Sequence, residues 1–181
     1  KILKSINPYT YSLALLVIIT EVFIASLRWR IILKHLGLNM SYLKTLNYLW
    51  IGVFFNQALP SSIGGDAVRG YYLYKKENFS INDAATGVLL DRIIGLLGLT
   101  LLVLFTMPLI FESTISLVTK WTVLFIIFVA LLAIFATLNI NLAPNKFKHF
   151  KIIKSLNNFS FRGKKVLFSY SGIFSITLSL I

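Results

Sequence analysis

Phe54-Phe55-Asn56-Gln57-Ala58-Leu59-Pro60-Ser61-Ser62-Ile63-Gly64-Gly65-Asp66-Ala67-Val68-Arg69-Gly70 is the stretch on which the reading of the fold turns. It opens inside an apolar run, Thr45 to Leu59. That run is about 15 residues long, short of the ~20 residues a helix needs to cross a bilayer. Pro60 lacks a backbone donor, and its ring ends or kinks the helix before it. Gly64-Gly65 allow the chain to turn and restart. Asp66 to Lys76 is then amphipathic and aromatic. A helical hairpin over 45–76, broken at Pro60–Gly65, is expected.

The hairpin gathers polar residues. A helix restarting near Asp66 presents unpaired N–H groups and a partial positive charge, which suit an anion. Arg69 stands three residues after Asp66, so the two share a face. Its planar fork can donate two parallel hydrogen bonds to a phosphate. Asn56 and Ser61 add neutral hydrogen-bonding groups, and Gly64 and Gly65 permit close approach to the backbone. A plainer reading fits the same residues: Asp66 caps its helix, Arg69 pairs with Asp66, and the glycines only make a turn. The glycine pair follows no strand and lacks the dinucleotide-binding spacing, and no Gly-Lys-Ser/Thr follows it, so neither nucleotide motif is present.

Outward from the hairpin the chain is apolar. Of its 181 residues, 57% are hydrophobic and 13% charged, with a mean hydropathy of +0.80, against about 25% charged in a soluble domain. Four runs read as membrane spans: 9–27, 86–111, 115–138 and 166–181, the last cut short. The expected fold is all-α: a polytopic helical membrane protein of about four spans plus the hairpin, a single membrane domain and a fragment of a larger bundle. The chain begins at Lys1 and stops inside an apolar run, and no signal peptide is recognisable.

Charge sets the topology. The net charge is +12, but the Lys and Arg lie mainly in short segments between apolar runs. That distribution points to cytoplasmic loops and anionic headgroups, not to nucleic acid. Segments 28–44 and 141–165 carry four and seven Lys/Arg with no acid and are expected as cytoplasmic basic loops. Both fit if 45–76 enters from the cytoplasm and returns, as a re-entrant hairpin. The alternative is an ordinary full span with a weak charge bias, which would put Lys75-Lys76 outside and reverse every later span. Irregular backbone at membrane depth needs protein or a watery cavity around it, so a polar cavity is implied.

Three further features carry charge into apolar surroundings. Asp91-Arg92 lies near the start of the second span, where unpaired ions cost at least ~2.5 kcal/mol each. Adjacent residues do not face each other on a helix, so each is expected to find a partner elsewhere. Asp66 for Arg92 and Arg69 for Asp91 are the natural ones. The plainer alternative is an Arg92 that snorkels to the interface. Glu21 is the one acid of the first span, within two turns of Arg28. Arg28-Trp29-Arg30 reads as an interfacial anchor with Trp29 at headgroup depth. With no cysteine and two separated histidines, no metal site, thiol nucleophile or catalytic set is recognisable, and no cofactor is expected.

In order, Arg28-Trp29, Asn56, Leu59-Pro60, Gly64-Gly65-Asp66, Arg69, Asp91-Arg92 and Gly95 resemble the transmembrane region of the lysylphosphatidylglycerol synthase/flippase family. The motifs cover about the first 110 residues. The resemblance implies a prokaryotic plasma-membrane protein that binds a phospholipid headgroup, anionic or aminoacylated, and translocates it between leaflets. Arg69 and Arg92 would then contact phosphate, with Asp66, Asp91, Glu21 and Arg28 as charge partners. A homo-oligomer is compatible with this. Nothing in the chain resembles the soluble lysyl-transferring domain of full-length synthases, so an enzymatic role is not expected of it. A lipid-linked transferase and a non-catalytic scaffold are the competing readings.

Overall fold

A computed structural model describes residues 7–58, 63–112, 116–139 and 151–180. Within them the chain forms seven helices and no strand. These are α1 (Pro8–His35), α2 (Tyr42–Ala58), α3 (Gly64–Lys76), α4 (Ile81–Glu112), α5 (Leu117–Leu138), α6 (Lys151–Leu167) and α7 (Tyr170–Leu178). Three stretches are long and apolar enough to cross a membrane: Pro8–His35, Ile81–Leu109 and Leu117–Leu138. This is a helical membrane protein.

Local chemistry sets the helix ends. Asn7 accepts a hydrogen bond from the Tyr9 amide, and proline follows it at the first turn. Gly37 closes α1 with φ of +83°. Its amide reaches the Lys34 carbonyl at 3.0 Å and the Leu38 amide the Leu33 carbonyl at 2.8 Å, a paired closure that needs the left-handed conformation. Asn78 closes α3 in the same region of backbone space, at φ 57°. Ser80, Ser116 and Ser169 cap α4, α5 and α7 by accepting from backbone amides. Inside the apolar helices, the hydroxyls of Thr20, Thr100, Thr106, Thr122 and Thr137 bond carbonyls one turn back, so none meets hydrocarbon unsatisfied.

Several boundaries differ from expectation. Residues 28–35, expected in a loop, continue α1, because Trp29, Ile32 and Leu33 extend the buried face of Val22 and Ser26 at helical spacing. Residues 151–165, expected as a basic loop, lie in amphipathic α6. Basic and neutral polar residues lower the hydropathy of that stretch, while Phe159, Ser160 and Val166 keep a packing face. The fourth run divides between the end of α6 and the nine-residue α7. The hairpin begins at Tyr42, and Leu59 to Ser62 lie outside the described residues.

Cross-helix contacts order the bundle. Trp29 meets Gly87 and Arg28 meets Asp91 and Gly95, so α1 and α4 run antiparallel. Asp66 meets Arg92, Arg69 meets Asp91, and Leu73 packs with Ala84 and Val88, so α3 and α4 are antiparallel too. Within the hairpin Tyr48 packs on Tyr72, Gly52 on Arg69 and Asn56 on Gly65. α2 therefore rises beside α3 and the chain turns back near Asp91. That level is about 15 Å along α4 from Ile81, at 1.5 Å per residue, roughly a third of the helix. α6 spans the ends of α1, α4 and α5: Arg162 pairs with Asp83, Ser160 donates to the Leu138 carbonyl, and Phe159 and Val166 pack with Ile32 and Leu90. The C-terminal ends of α1, α3 and α5 and the start of α4 thus share one end of the bundle. Lys34, Lys75, Lys76, Arg162, Lys164 and Lys165 belong to that end.

Candidate functional site: an arginine–aspartate chain at the hairpin turn

The hairpin turn is built on close backbone approach. The Asn56 side-chain carbonyl accepts the Gly65 amide at 2.8 Å, satisfying one of the donors that the start of α3 leaves open. A Cβ at Gly65 would run into the Gly52 carbonyl, and one at Gly52 would come within 2.7 Å of the Arg69 Cδ. The two glycines let α2 and α3 touch and give the Arg69 side chain its path between them.

Arg69 then reaches α4. Its Nη2 donates to Asp91 Oδ2 at 3.0 Å and its Nη1 to Asp66 Oδ1 at 3.4 Å. The other Asp91 oxygen accepts from Arg28 Nε at 2.9 Å. The other Asp66 oxygen accepts from Arg92 Nε at 2.5 Å. The result is an unbroken series, Arg28–Asp91–Arg69–Asp66–Arg92, drawn from α1, α3 and α4. Arg69 and Asp91 are buried, while the Arg92 side chain is 48% exposed. Three guanidinium groups face two carboxylates, so the series keeps an excess positive charge. The Arg69 Nε is buried and has no hydrogen-bond partner among the described residues.

Trp29 supports the centre of the series. Its ring lies 3.9 Å beneath the Arg69 guanidinium carbon, a cation–π contact strengthened by the burial of both side chains. Its Nε1 donates to the Gly87 carbonyl at 3.2 Å. The reading of Arg28-Trp29-Arg30 as an interfacial anchor is thereby corrected: Trp29 is fully buried, Arg28 grips Asp91, and Arg30 donates to the Met40 carbonyl. Runs of Arg and Trp look the same whether they face headgroups or a protein interior. The helix face decides, and it is set by α3 and α4.

Of the other site residues read from sequence, Arg69 meets Asp91 and Arg92 meets Asp66, the two contacts expected. Asn56 and Gly65 join at the turn, and Gly64 begins α3. Ser61 lies outside the described residues. Glu21 is exposed on α1, two turns from Arg28, whose guanidinium instead engages Asp91 and, through Nη1, Ser179 at 2.9 Å. Ser179 was not anticipated. A signal existed for the surface it joins: Gly87, Asp91, Gly95 and Gly98 fall on one side of α4, a small-residue stripe that lets α1 and α7 approach.

A second cluster closes the open end of the hairpin. Glu77 accepts from the Tyr48 hydroxyl at 2.7 Å and from Lys44 at 3.0 Å. Burial would raise the Glu77 pKa, but the Tyr48 hydrogen bond and the Lys44 charge outweigh it and hold the carboxyl below its ordinary value. Burial and the adjacent carboxylate push Tyr48 up to about 12.

The family model of the lysylphosphatidylglycerol synthase transmembrane region matches residues 1–181. The chain is 34% identical over 95 residues to a UPF0104 membrane protein of Methanocaldococcus jannaschii, covering 52% of this chain and 28% of that protein. It is 32% identical over 87 residues to one of Pyrococcus horikoshii, covering 47% and 26%. A UPF0104 membrane protein of Methanothermobacter thermautotrophicus is 26% identical over 145 residues, covering 78% and 41%. The chain thus spans less than half the length of these relatives. No solved structure matches it significantly. Its full-length match to the family model, on a helical membrane fold, makes this chain a member of the lysylphosphatidylglycerol synthase transmembrane-region family.

Proposed function

We propose that this membrane domain receives a phosphate-bearing lipid headgroup at the hairpin turn and passes it between leaflets. The observation that carries the reading is the Arg28–Asp91–Arg69–Asp66–Arg92 series, with its excess positive charge and the unspent Arg69 Nε. Charges inside a membrane domain are costly unless paired and usually mark a pathway. A phosphate can replace a carboxylate on one arginine while the displaced aspartate keeps the next arginine. Each step then exchanges one ion pair for another and exposes no lone charge. Arg92, on the exposed side, is the entry point, and Arg69 is the inner one. A hairpin entering from the cytoplasmic side brings this series into the bilayer without a full crossing. Anionic and aminoacylated phospholipids both carry the required group.

A transferase reading has less support. Asp66 and Asp91 are each held by two arginines, so neither offers a carboxylate to a substrate without first releasing a cation. The test is leaflet scrambling by the full-length protein in liposomes, with labelled phosphatidylglycerol and its lysyl ester. Protein-dependent movement that Arg69→Ala abolishes is expected. No protein-dependent movement overturns translocation, and equal movement by both proteins overturns the role of Arg69.

A further inference from the structure

A polar cavity of about 610 Å³ opens at the basic end of the bundle, between the end of α1, the start of α4 and α6. It lies across α4 from the hairpin: Leu90 and Ile94 face α6, whereas Ala84 and Val88 face α3. His35, Asp83, Phe161, Arg162 and Lys165 line it. Asp83 is already committed, with Oδ1 taking Arg162 Nη1 and Oδ2 taking the Ser80 hydroxyl. Arg162 spends one nitrogen on this pair and remains 41% exposed. Lys165 is exposed, and Phe161, 71% exposed, forms an apolar shoulder. The cavity therefore combines surplus cationic donors with an apolar rim at the level of the basic segments.

We propose that this cavity is a second phosphate site, which takes the phosphodiester headgroup of an anionic lipid from the leaflet at the basic end. The remaining Arg162 N–H groups and the Lys165 ammonium hold the phosphate oxygens, and His35 adds a ring N–H. Phe161 lies against the first carbons of the acyl chains. The site is separate from the Arg69 series and does not depend on translocation.

The test uses full-length protein carrying Phe161→Trp in an uncharged detergent. The emission added by Phe161→Trp, taken as the difference from the same protein with Phe161 kept, since Trp29 lies against Arg69, is followed during titration with dioctanoylphosphatidylglycerol, dioctanoylphosphatidylcholine or inorganic phosphate. A saturable change with phosphatidylglycerol is expected, at a midpoint at least about tenfold below that of inorganic phosphate. Lys165→Ala should raise the phosphatidylglycerol midpoint about tenfold, the loss of one charge-assisted contact, and Arg69→Ala should leave it unchanged. Arg162→Ala also strips Asp83 of its partner, so His35→Gln, expected to raise the midpoint a few-fold, serves as the second variant. Absence of saturation, or a midpoint indifferent to both Lys165→Ala and His35→Gln, overturns the site. An equal response to inorganic phosphate overturns the lipid as its source, and an equal response to phosphatidylcholine overturns the preference for anionic lipid.

Discussion

Leu90 and Phe105 lie fifteen residues apart on α4, yet Leu90 is fully buried and Phe105 is 88% exposed. The first half of α4 packs against α1, α3 and α6. The second half presents Leu99, Phe105 and Leu109 outward. In water such a contrast would signal a binding surface. In a bilayer, exposed hydrocarbon costs little, because lipid tails are as apolar as leucine. What draws neighbours to the first half is polarity: Asp91 cannot face lipid, so α1 and α3 bring arginines to it. Helices gather around the charge, and the more apolar half keeps its large side chains exposed.

Removing the charge should break this contrast most severely. Asp91→Ala leaves the partly buried Arg28 without a counter-charge and the buried Arg69 with Asp66 alone, and a loss of about 3–5 kcal/mol is expected. Thermal midpoints in detergent would read it. A loss below about 1 kcal/mol would mean that water already reaches the guanidinium groups. Next in size is Leu90→Ala, at about 2–5 kcal/mol for an emptied core position, set against Phe105→Ala at about 0.5 kcal/mol or less. Equal losses in the same detergent would erase the distinction between the halves. Gly65→Ala should cost about 1–3 kcal/mol by forcing the hairpin apart, and should reduce scrambling more than its effect on stability accounts for.

The smallest effect concerns the base of the hairpin. The Glu77 pKa is held below its ordinary 4.5, so the folded state binds the proton more weakly than the unfolded chain. The stabilisation is fully present above about pH 4.5 and is lost as pH falls through the lowered value. Lys44 is largely exposed, so the loss is expected to be under about 1 kcal/mol. Unfolding midpoints measured downward from pH 5, with Glu77→Gln flattening the difference, would check it. No change between the two proteins would mean that the Glu77 cluster contributes nothing to the stability of the hairpin.

Much of this was legible in the residues. Long apolar runs with few charges dictate membrane helices, because unsatisfied backbone cannot stand in hydrocarbon. Pro60 and Gly64-Gly65 announce a break, and the short run before them argues against a full crossing. Arg69, Asp91, Asp66 and Arg92 could be paired on paper because isolated ions in a membrane are too costly to leave alone. The sequence by itself therefore determined the solvent of this protein, its hairpin and most of its arginine–aspartate series. Only the tertiary structure decided that Trp29 is a buried support under Arg69, that Arg28 completes the series together with Ser179, and that α6 is a packed helix lining a polar cavity. Those facts depend on which helix lies against which face. Hydropathy carries no such information, because in a bilayer lipid and protein are equally acceptable neighbours for an apolar side chain.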